Sequence, residues 1–581
     1  MIIISDLVIE NVIKTAKRRN YSIDEILIRK AYEFAYRKHK NQKRKSGEPY
    51  IIHPLNVAQI VAEMGLDTAT ICAALLHDVV EDTNATYEVI SKKFGVEIAD
   101  IVEGVTKLTN SFATNEERQT ENYKKLFIAM DKDIRVILLK IADRLHNVTT
   151  LEYLDRKKQI SIAKETLEIY APIANKLGMY DMKCRLEDEA FKYLYPDEYI
   201  DLLNKIEKKK REKMPQLEKI ILNIHAILRR NRISSIVNIE IKNVYNVYKK
   251  MQKYDGNIDE IKDLFVFKII LRNRKNCYIS MGLINNNYQV IPGTFKDYIA
   301  SPRDNMYEAL QSILINDDGT VFEVHICSYD MHRVSKYGIL AFFSYVNENK
   351  LFSDNLFVKD KFLGIKNSIE LEKEINNPKI FLNTLKTELY EDEVYVFSEK
   401  GELIILPKGA TVLDFIFKIK ESIEDKFIAS KVNYMEMPVI AELKDGDIVE
   451  IYESDKELIA EKNWLNLVKT AKAKSEILKM INQDEECNQK DKNINIEIYA
   501  KDRKNLVLDI INKLKEKDIN ILSLKTKYMD EVNVKICIIV EKFKKEVLEK
   551  VLEEFKENIE LLNLNITKCD KKLISYRNLS K

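Results

Sequence analysis

The chain has 581 residues, with 94 Lys plus Arg against 92 Asp plus Glu and a formal net charge of +2. At about 100–200 residues per domain this length implies about three to five domains, and 45% apolar residues exclude a chain that is disordered throughout. So even a charge balance argues against a strongly basic nucleic-acid binder, because no large net field gathers phosphate.

The opening stretch, MIIISDLVIENV, has no basic leader and is interrupted by Asp6 and Glu10, so it does not read as a secretion signal. No run approaches the about 18 apolar residues that a membrane span needs. The seven Cys residues are scattered with no CxxC pair, which suggests neither a zinc site nor a disulfide framework and points to the cytoplasm.

Apolar residues recur at helical spacing over Asp24–His39, Leu55–Met64, Thr70–Val80, Tyr87–Phe94 and Glu121–Leu154. Residues 1–200 therefore read as an all-α domain, broken at Arg44–Tyr50 by Gly and Pro. The charged stretch Lys205–Lys213 leads into a mixed region over 201–345, where 263–272 and 320–327 look like strands. Residues 346–389 read as a helical connector. Residues 390–453 hold short strands (Glu393–Ser398, Leu403–Pro407, Asp447–Tyr452) around a small helix. Residues 454–493 give a helix with Trp464 that ends near Lys479, followed by a polar linker, Asn482–Asn493. The last domain, 494–575, reads strand, helix, strand, strand, helix, strand, the order of a ferredoxin-like sandwich.

Three positions in the first domain carry chemistry: His53, the doublet His77–Asp78, and Asp143. Together they form a mixed nitrogen and oxygen donor set that suits Mn, Fe or Zn. Such an ion would polarise a phosphoryl oxygen or lower the pKa of a bound water. Helical spacing places Glu81 and Asp82 on the face of the doublet, where two more carboxylates can serve as base and acid. Asp143 and Asn147 lie one turn apart, and Arg44 and Lys45 can supply charge for phosphates. A lone His–Asp doublet on a helix is ordinarily a solvated pair; the conjunction of all these features is what points to a site. His39, His225 and His332 have no such company and read as structural, and the spacing turns His146 towards packing.

The stretches RKSGEPYIIHP (44–54), AALLHDVVEDT (73–83), ENYKKLF (121–127), ILLKIADRLHN (137–147) and IANKLGMYDMKCRLEDEAFKYLYP (173–196) closely resemble the long RelA/SpoT homologues, which make and degrade ppGpp and pppGpp. The resemblance implies an HD-type hydrolase over 1–200 that removes the 3′-pyrophosphate from (p)ppGpp in the stringent response. It implies Mn2+ held by His53, His77, Asp78 and Asp143, catalytic carboxylates at Glu81 and Asp82, and substrate contacts from Arg44, Lys45, Ser46, Asn147 and Thr150.

Residues 201–345 resemble the family's nucleotidyltransferase-like synthetase domain, through YNVYKKM (245–251), DLFVFKII (263–270), IPGTFKDYIASPRDNMYEAL (291–310) and FEVHICSYDMH (322–332). The family's Mg2+-binding Asp matches Asp263, its catalytic Glu matches Glu323, and the aromatic that stacks on guanine matches Tyr307; Lys296, Asp297 and Asn305 also persist. The departures are many. Gapless alignment puts Glu240 where the family has an ATP-binding Arg. Asn246 replaces Ser, Asn285 and Gln311 replace His, His325 and Cys327 replace Gln and Arg, Lys336 replaces Glu, and Phe342–Phe343 replace His-Trp. Phosphoryl transfer depends on positioning and on cations that offset developing charge, so a sign reversal beside a polyphosphate implies a degenerate synthetase. Such a domain either still holds a guanine nucleotide or buttresses the hydrolase.

Residues 390–453 resemble the β-grasp TGS domain, which touches uncharged tRNA on the ribosome. The family's His that reads the tRNA end is Lys420 here, which puts that contact in doubt. The family's Cys-containing module reads as absent, with only Cys487 in its place. Residues 494–575 resemble an ACT domain, but Asn505 stands near a position that is Gly in many ligand-binding members.

The sequence therefore favours a (p)ppGpp hydrolase with a lost synthetase. The alternatives are a bifunctional enzyme that also transfers pyrophosphate from ATP to GDP or GTP, a non-catalytic regulator that binds nucleotide or a partner, and a hydrolase of another phosphorylated nucleotide. No membrane partner is expected.

Overall fold

The computed structural model describes residues 2–19, 22–106, 114–253, 256–303, 305–343, 365–370, 378–389, 393–419, 428–453, 460–516, 519–529, 533–541, 561–568 and 571–577. The first unit is helical: α1 (Ile2–Arg19), α2 (Glu25–Lys38), α3 (Ile52–Glu63), α4 (Thr68–Asp82), α5 (Tyr87–Phe94), α6 (Val96–Val105), α7 (Asn115–Lys132), α8 (Arg135–Thr149), α9 (Arg156–Glu165), α10 (Ala171–Lys176) and α11 (Tyr180–Leu194). The run expected over Glu121–Leu154 is two helices. Asp133 is extended between α7 and α8, and its carboxylate accepts the Arg135 N–H at 2.9 Å, so a residue that favours helix starts ends one helix and opens the next.

The three helices α3, α4 and α8 carry the candidate site. The α4 start is capped by Asp67, whose carboxylate accepts from the Thr70 N–H, while Ile71, Ala74 and Leu75 fill the core. The Arg135 guanidinium lies 2.6 Å from Asp67 and 2.6 Å from Asp133, tying the starts of α4 and α8 together. Both helices pack with α3, which brings His53 in from a third direction.

A 35-residue helix, α12 (Pro196–Arg230), runs through position 200 and contains the charged stretch Lys205–Lys213. Its buried stripe, Leu202, Ile206, Leu217, Ile220, Ile224 and Ile227, has helical spacing. The mixed unit follows: β1 (Ser235–Ile241), α13 (Val244–Met251), β2 (Phe265–Leu271), α14 (Arg274–Asn285), β3 (Gln289–Val290), β4 (Lys296–Asp297), β5 (Leu310–Ile315), β6 (Val321–Ser328) and α15 (Tyr329–Tyr337). The sheet order is β1-β2-β6-β5-β3, with β4 paired to β5 and a parallel β2–β6 pair at its centre.

The helical and mixed units are in direct contact. The Ile339 N–H donates to the Leu177 carbonyl at 3.0 Å, and a Cβ on Gly338 would stand 2.1 Å from that same oxygen. Only glycine permits this approach. Asp188 of α11 caps α13, accepting from Tyr245 N–H at 2.9 Å and Val244 N–H at 3.3 Å. Within the expected connector, the described pieces 365–370 and Pro378–Leu389 are helical, and Phe381, Leu385 and Leu389 join the core of the first unit.

The next sheet, β7 (Glu393–Ser398), β8 (Leu403–Pro407), β9 (Ile428–Val432), β10 (Met435–Met437) and β11 (Ile448–Glu453), has the order β10-β9-β11-β7-β8 and packs on the helix Val412–Ile419. Lys420 lies outside the described residues. The stretch expected as a linker over Asn482–Asn493 is instead helical up to Lys492, with Asn493 opening the next strand: the helix Ala471–Lys492 passes Lys479, because the stretch has no Gly or Pro to break it. The last sheet has β12 (Asn493–Lys501), β13 (Ile521–Tyr528), β14 (Asn533–Glu541), β15 (Leu561–Lys568) and β16 (Lys571–Arg577) in the order β13-β14-β12-β15-β16. Its first four strands follow ferredoxin-like order, with β16 added at the edge. The second helix expected there lies outside the described residues.

Candidate active site

The loop before α3 is a tight hairpin. Arg44 N–H donates to the Glu48 carbonyl at 2.9 Å, Tyr50 N–H to the Gln42 carbonyl at 3.1 Å, and Gly47 takes φ +87° at the tip. This hairpin carries Arg44, Lys45 and Ser46. Arg44 reaches Asn147 Oδ1 on α8 at 3.4 Å and Oγ1 of Thr150, the residue that caps this helix, at 3.5 Å. Lys45 is exposed, and the Ser46 hydroxyl donates to Glu48 at 3.2 Å.

Behind this loop the expected ligands converge. His53 Nε2 is 3.3 Å from Asp143 Oδ1 and 3.5 Å from Asp78 Oδ2. His77 Nε2 is 3.1 Å from Asp78 Oδ1 and 3.8 Å from Asp143 Oδ1. Donor atoms of His53, His77 and Asp143 all lie within 4.8 Å of one another. His77 Nδ1 meets the Ala74 carbonyl at 2.8 Å, which sets its proton there and leaves Nε2 as a lone pair; that buried atom makes no hydrogen bond. An orphaned imidazole nitrogen facing two carboxylates fits a divalent cation.

The electrostatics agree with that fit. Burial opposes a charged His77, yet Asp78 and Asp143 raise its pKa to about 9. Burial lowers the His53 pKa. Burial alone would raise the carboxyls, but Lys140, His53 and His77 hold Asp143 well below the usual range, and His77 and His53 do the same for Asp78.

Three contacts were not legible in the sequence. The Tyr50 hydroxyl lies 2.9 Å from Asp78 Oδ2 and 2.6 Å from Asp82 Oδ2, linking a candidate ligand to a candidate catalytic carboxylate. The buried Lys140 ammonium is 3.2 Å from Asp143 Oδ2 and donates to the Val105 carbonyl at 3.3 Å. His146 Nδ1 meets His53 Nδ1 at 2.8 Å, so this histidine turns to a ligand rather than into plain packing. Burial, with His53 and Arg44 nearby, lowers its pKa to about 3. Asn147 Nδ2 donates to Asp143 Oδ1 at 2.6 Å. Glu81 is half-buried, and its charge reaches Lys140. Arg144 turns away from the set, to Glu165 at 2.9 Å and over the Tyr170 ring at 4.3 Å.

Residues 31–180 match the HD domain, residues 240–350 match the region found in RelA/SpoT proteins, and residues 394–453 match the TGS domain. A GTP pyrophosphokinase of Myxococcus xanthus is 40% identical over 79% of this chain and 61% of its own length. A guanosine-3′,5′-bis(diphosphate) 3′-pyrophosphohydrolase of Aquifex aeolicus is 40% identical over 79% of this chain and 65% of its own length. The chain belongs to the RelA/SpoT family. It spans less than two thirds of the length of these relatives, and the relatives carry both pyrophosphokinase and pyrophosphohydrolase names.

In this RelA/SpoT chain the second constellation is internally occupied. Lys242 pairs with Asp263 and stands 3.0 Å from Glu323 Oε2, while Lys250 also pairs with Asp263. His325 Nε2 is 3.1 Å from Glu323 Oε1, and its Nδ1 is 3.0 Å from the Tyr307 hydroxyl, to which Gln311 Nε2 donates at 2.8 Å. Two of the residues that depart from the family pattern, Gln311 and His325, thus hold the aromatic matched to guanine stacking. Glu240 on β1 pairs with Lys268 on β2 at 2.7 Å. Asn305 meets Asn175 of the helical unit at 3.3 Å, and Lys296 is exposed on β4. The structure therefore links Asp263, Glu323 and Tyr307 through Lys242 and His325, and Asn305 Oδ1 accepts from the Tyr307 N–H at 3.3 Å, while among the described residues no contact joins Lys296 to this set.

Proposed function

We propose that this protein is a metal-dependent (p)ppGpp 3′-pyrophosphohydrolase whose synthetase region no longer transfers pyrophosphate. The observation that carries the reading is the convergence of His53, His77 and Asp143, with Asp78 beside both histidines and Asp82 joined to Asp78 through the Tyr50 hydroxyl. A divalent ion bound there, Mn2+ in this reading, would supply Lewis acidity towards a phosphoryl oxygen and a lowered water pKa. Arg44 and Lys45 bind the phosphates, and Asn147 and Thr150 hold Arg44. Glu81 and Asp82 take the proton from the attacking water and return one to the leaving 3′-oxygen. Water adds at the phosphorus next to the ribose, the 3′ O–P bond breaks, and GDP or GTP leaves with pyrophosphate.

Loss of synthesis is supported by the neutralisation of the second site. Lys242 and Lys250 satisfy the Asp263 carboxylate that would hold Mg2+, and Glu240 is paired with Lys268 where a cation would face a polyphosphate. A bifunctional enzyme is the second reading, favoured by the retained proximity of Asp263 and Glu323 through Lys242. Purified protein with Mn2+ and ppGpp, run beside ATP plus GDP, separates the two. Pyrophosphate release without new ppGpp is the expected result. Formation of ppGpp supports the second reading, and no release from ppGpp overturns the first.

A further inference from the structure

We propose that His146 is a positioning residue that makes His53 a competent ligand by accepting the proton on its Nδ1. This rests on the reading of the His53, His77, Asp78 and Asp143 cluster as a metal centre. The two Nδ1 atoms are 2.8 Å apart, close enough for a hydrogen bond that can hold only one proton. Both rings are buried, so no bulk water stands in for either partner. His53 Nε2 points into the donor set, 3.3 Å from Asp143 and 3.5 Å from Asp78.

A neutral imidazole carries one N–H, and a cation takes the other nitrogen. His53 can offer Nε2 only when its proton sits on Nδ1 and points at His146. His146 must then present a bare Nδ1, with its own proton on Nε2. In the opposite arrangement His146 donates to His53, and the His53 proton lies on Nε2, aimed at Asp143 and blocking the site. The two ligand histidines differ in this respect. His77 donates to the Ala74 carbonyl, which can only accept, so its tautomer is fixed by the backbone. His53 depends on a partner that can either give or accept. His146 lies beside Asn147 at the end of α8, with Thr150 just past it as the cap; Asn147 and Thr150 both meet Arg44, so this helix end serves both the ligand and the Arg44 loop.

The test uses the full chain stripped with a chelator, with Mn2+ affinity read by competition against a chromophoric chelator in the absence of nucleotide. His146→Leu keeps the bulk and removes the acceptor. His146→Asn places an amide oxygen where Nδ1 stands. We expect His146→Leu to weaken Mn2+ binding by about 10–100-fold and His146→Asn to stay within about threefold of the unmodified protein. Circular dichroism confirms folding, and His146→Ala replaces the Leu variant if that one does not fold. Unchanged affinity in the acceptor-free variant, or equal weakening in the Leu and Asn variants, overturns the proposal. Because affinity is read without substrate, absence of ppGpp turnover in the unmodified protein sinks the functional reading and leaves this one standing.

Discussion

The Tyr50 hydroxyl and the Asp82 carboxylate meet at 2.6 Å, with Asp78 Oδ2 a further 2.9 Å from the same oxygen. Burial and the two carboxylates raise the phenol pKa, so it stays protonated and has a single proton to place between two anions. The phenol therefore holds Asp82 in register with a ligand of the candidate metal. Tyr50→Phe removes that hydrogen bond and keeps the ring, which stacks on His39 with centroids 4.8 Å apart. A hydrogen bond to a charged group contributes about 1.5–3 kcal/mol, so turnover of ppGpp is expected to fall about 10–100-fold. Mn2+ affinity should change far less than turnover. Steady-state kinetics beside chelator competition checks both; unchanged kcat would show that Tyr50 does not hold a carboxylate on which turnover depends.

Much of this site was legible in the sequence because helical period alone aligns His77, Asp78, Glu81 and Asp82. Asp143 and Asn147 were legible for the same reason. Tyr50, Lys140 and His146 were not, although all three stand inside the motifs that carry the resemblance. Tyr50 meets Asp78 and Asp82 across 28 and 32 residues, and His146 meets His53 across 93, so their roles exist only after α3, α4 and α8 pack. Lys140 sits one turn before Asp143, yet spacing does not tell a solvated lysine from a buried one. The same limit explains the misread stretch after Lys479. Polar composition suits an exposed helix as well as a linker, and propensity decides only when breakers are present.

Lys140 supplies the second prediction. Its ammonium is buried and stands 3.2 Å from Asp143 Oδ2, a charge that a bound cation would also neutralise. Lys140→Met leaves the metal-free protein with an uncompensated buried carboxylate, a loss of about 3–5 kcal/mol for a broken buried pair. Addition of Mn2+ is expected to restore much of that loss. Thermal unfolding of both proteins with Mn2+ and with EDTA reads the effect: the metal-induced rise in Tm should be larger in Lys140→Met. Equal rises would mean that Lys140 and the cation do not share Asp143.

The third prediction concerns the synthetase region. If Glu240 alone had abolished pyrophosphate transfer, Glu240→Arg would recover it. Here Tyr307 is held by Gln311 and His325, and Asp263 and Glu323 are neutralised by Lys242, so the single change leaves the site occupied. The new guanidinium also faces Lys268, which loses its partner at 2.7 Å. No ppGpp is expected from ATP plus GDP in either protein, with at most about 1 kcal/mol lost, the range of a partly exposed pair. Radiolabelled transfer assays decide it. Synthesis by the Glu240→Arg protein would place the whole deficit at that residue.

The pH dependence of this network follows from Glu323. Burial works to raise its pKa, but His325 and Lys242 outweigh that and lower it to about 2, from an ordinary 4.5. A folded-state pKa below the unfolded one means that the ionised group stabilises the fold. The contribution is complete above about pH 4.5 and is lost as pH falls through the folded value near 2. Its size is of the order of a few kcal/mol, since each unit is worth about 1.4 kcal/mol. Glu323→Gln keeps the shape and removes the titration. At pH 7 the unmodified protein should unfold at a higher urea concentration than Glu323→Gln, and the gap should narrow steadily between about pH 4.5 and the acid limit of the assay. A gap that stays constant with pH would show that the Lys242–Glu323–His325 contacts hold no net charge-dependent stability, and that the second site is open rather than internally closed.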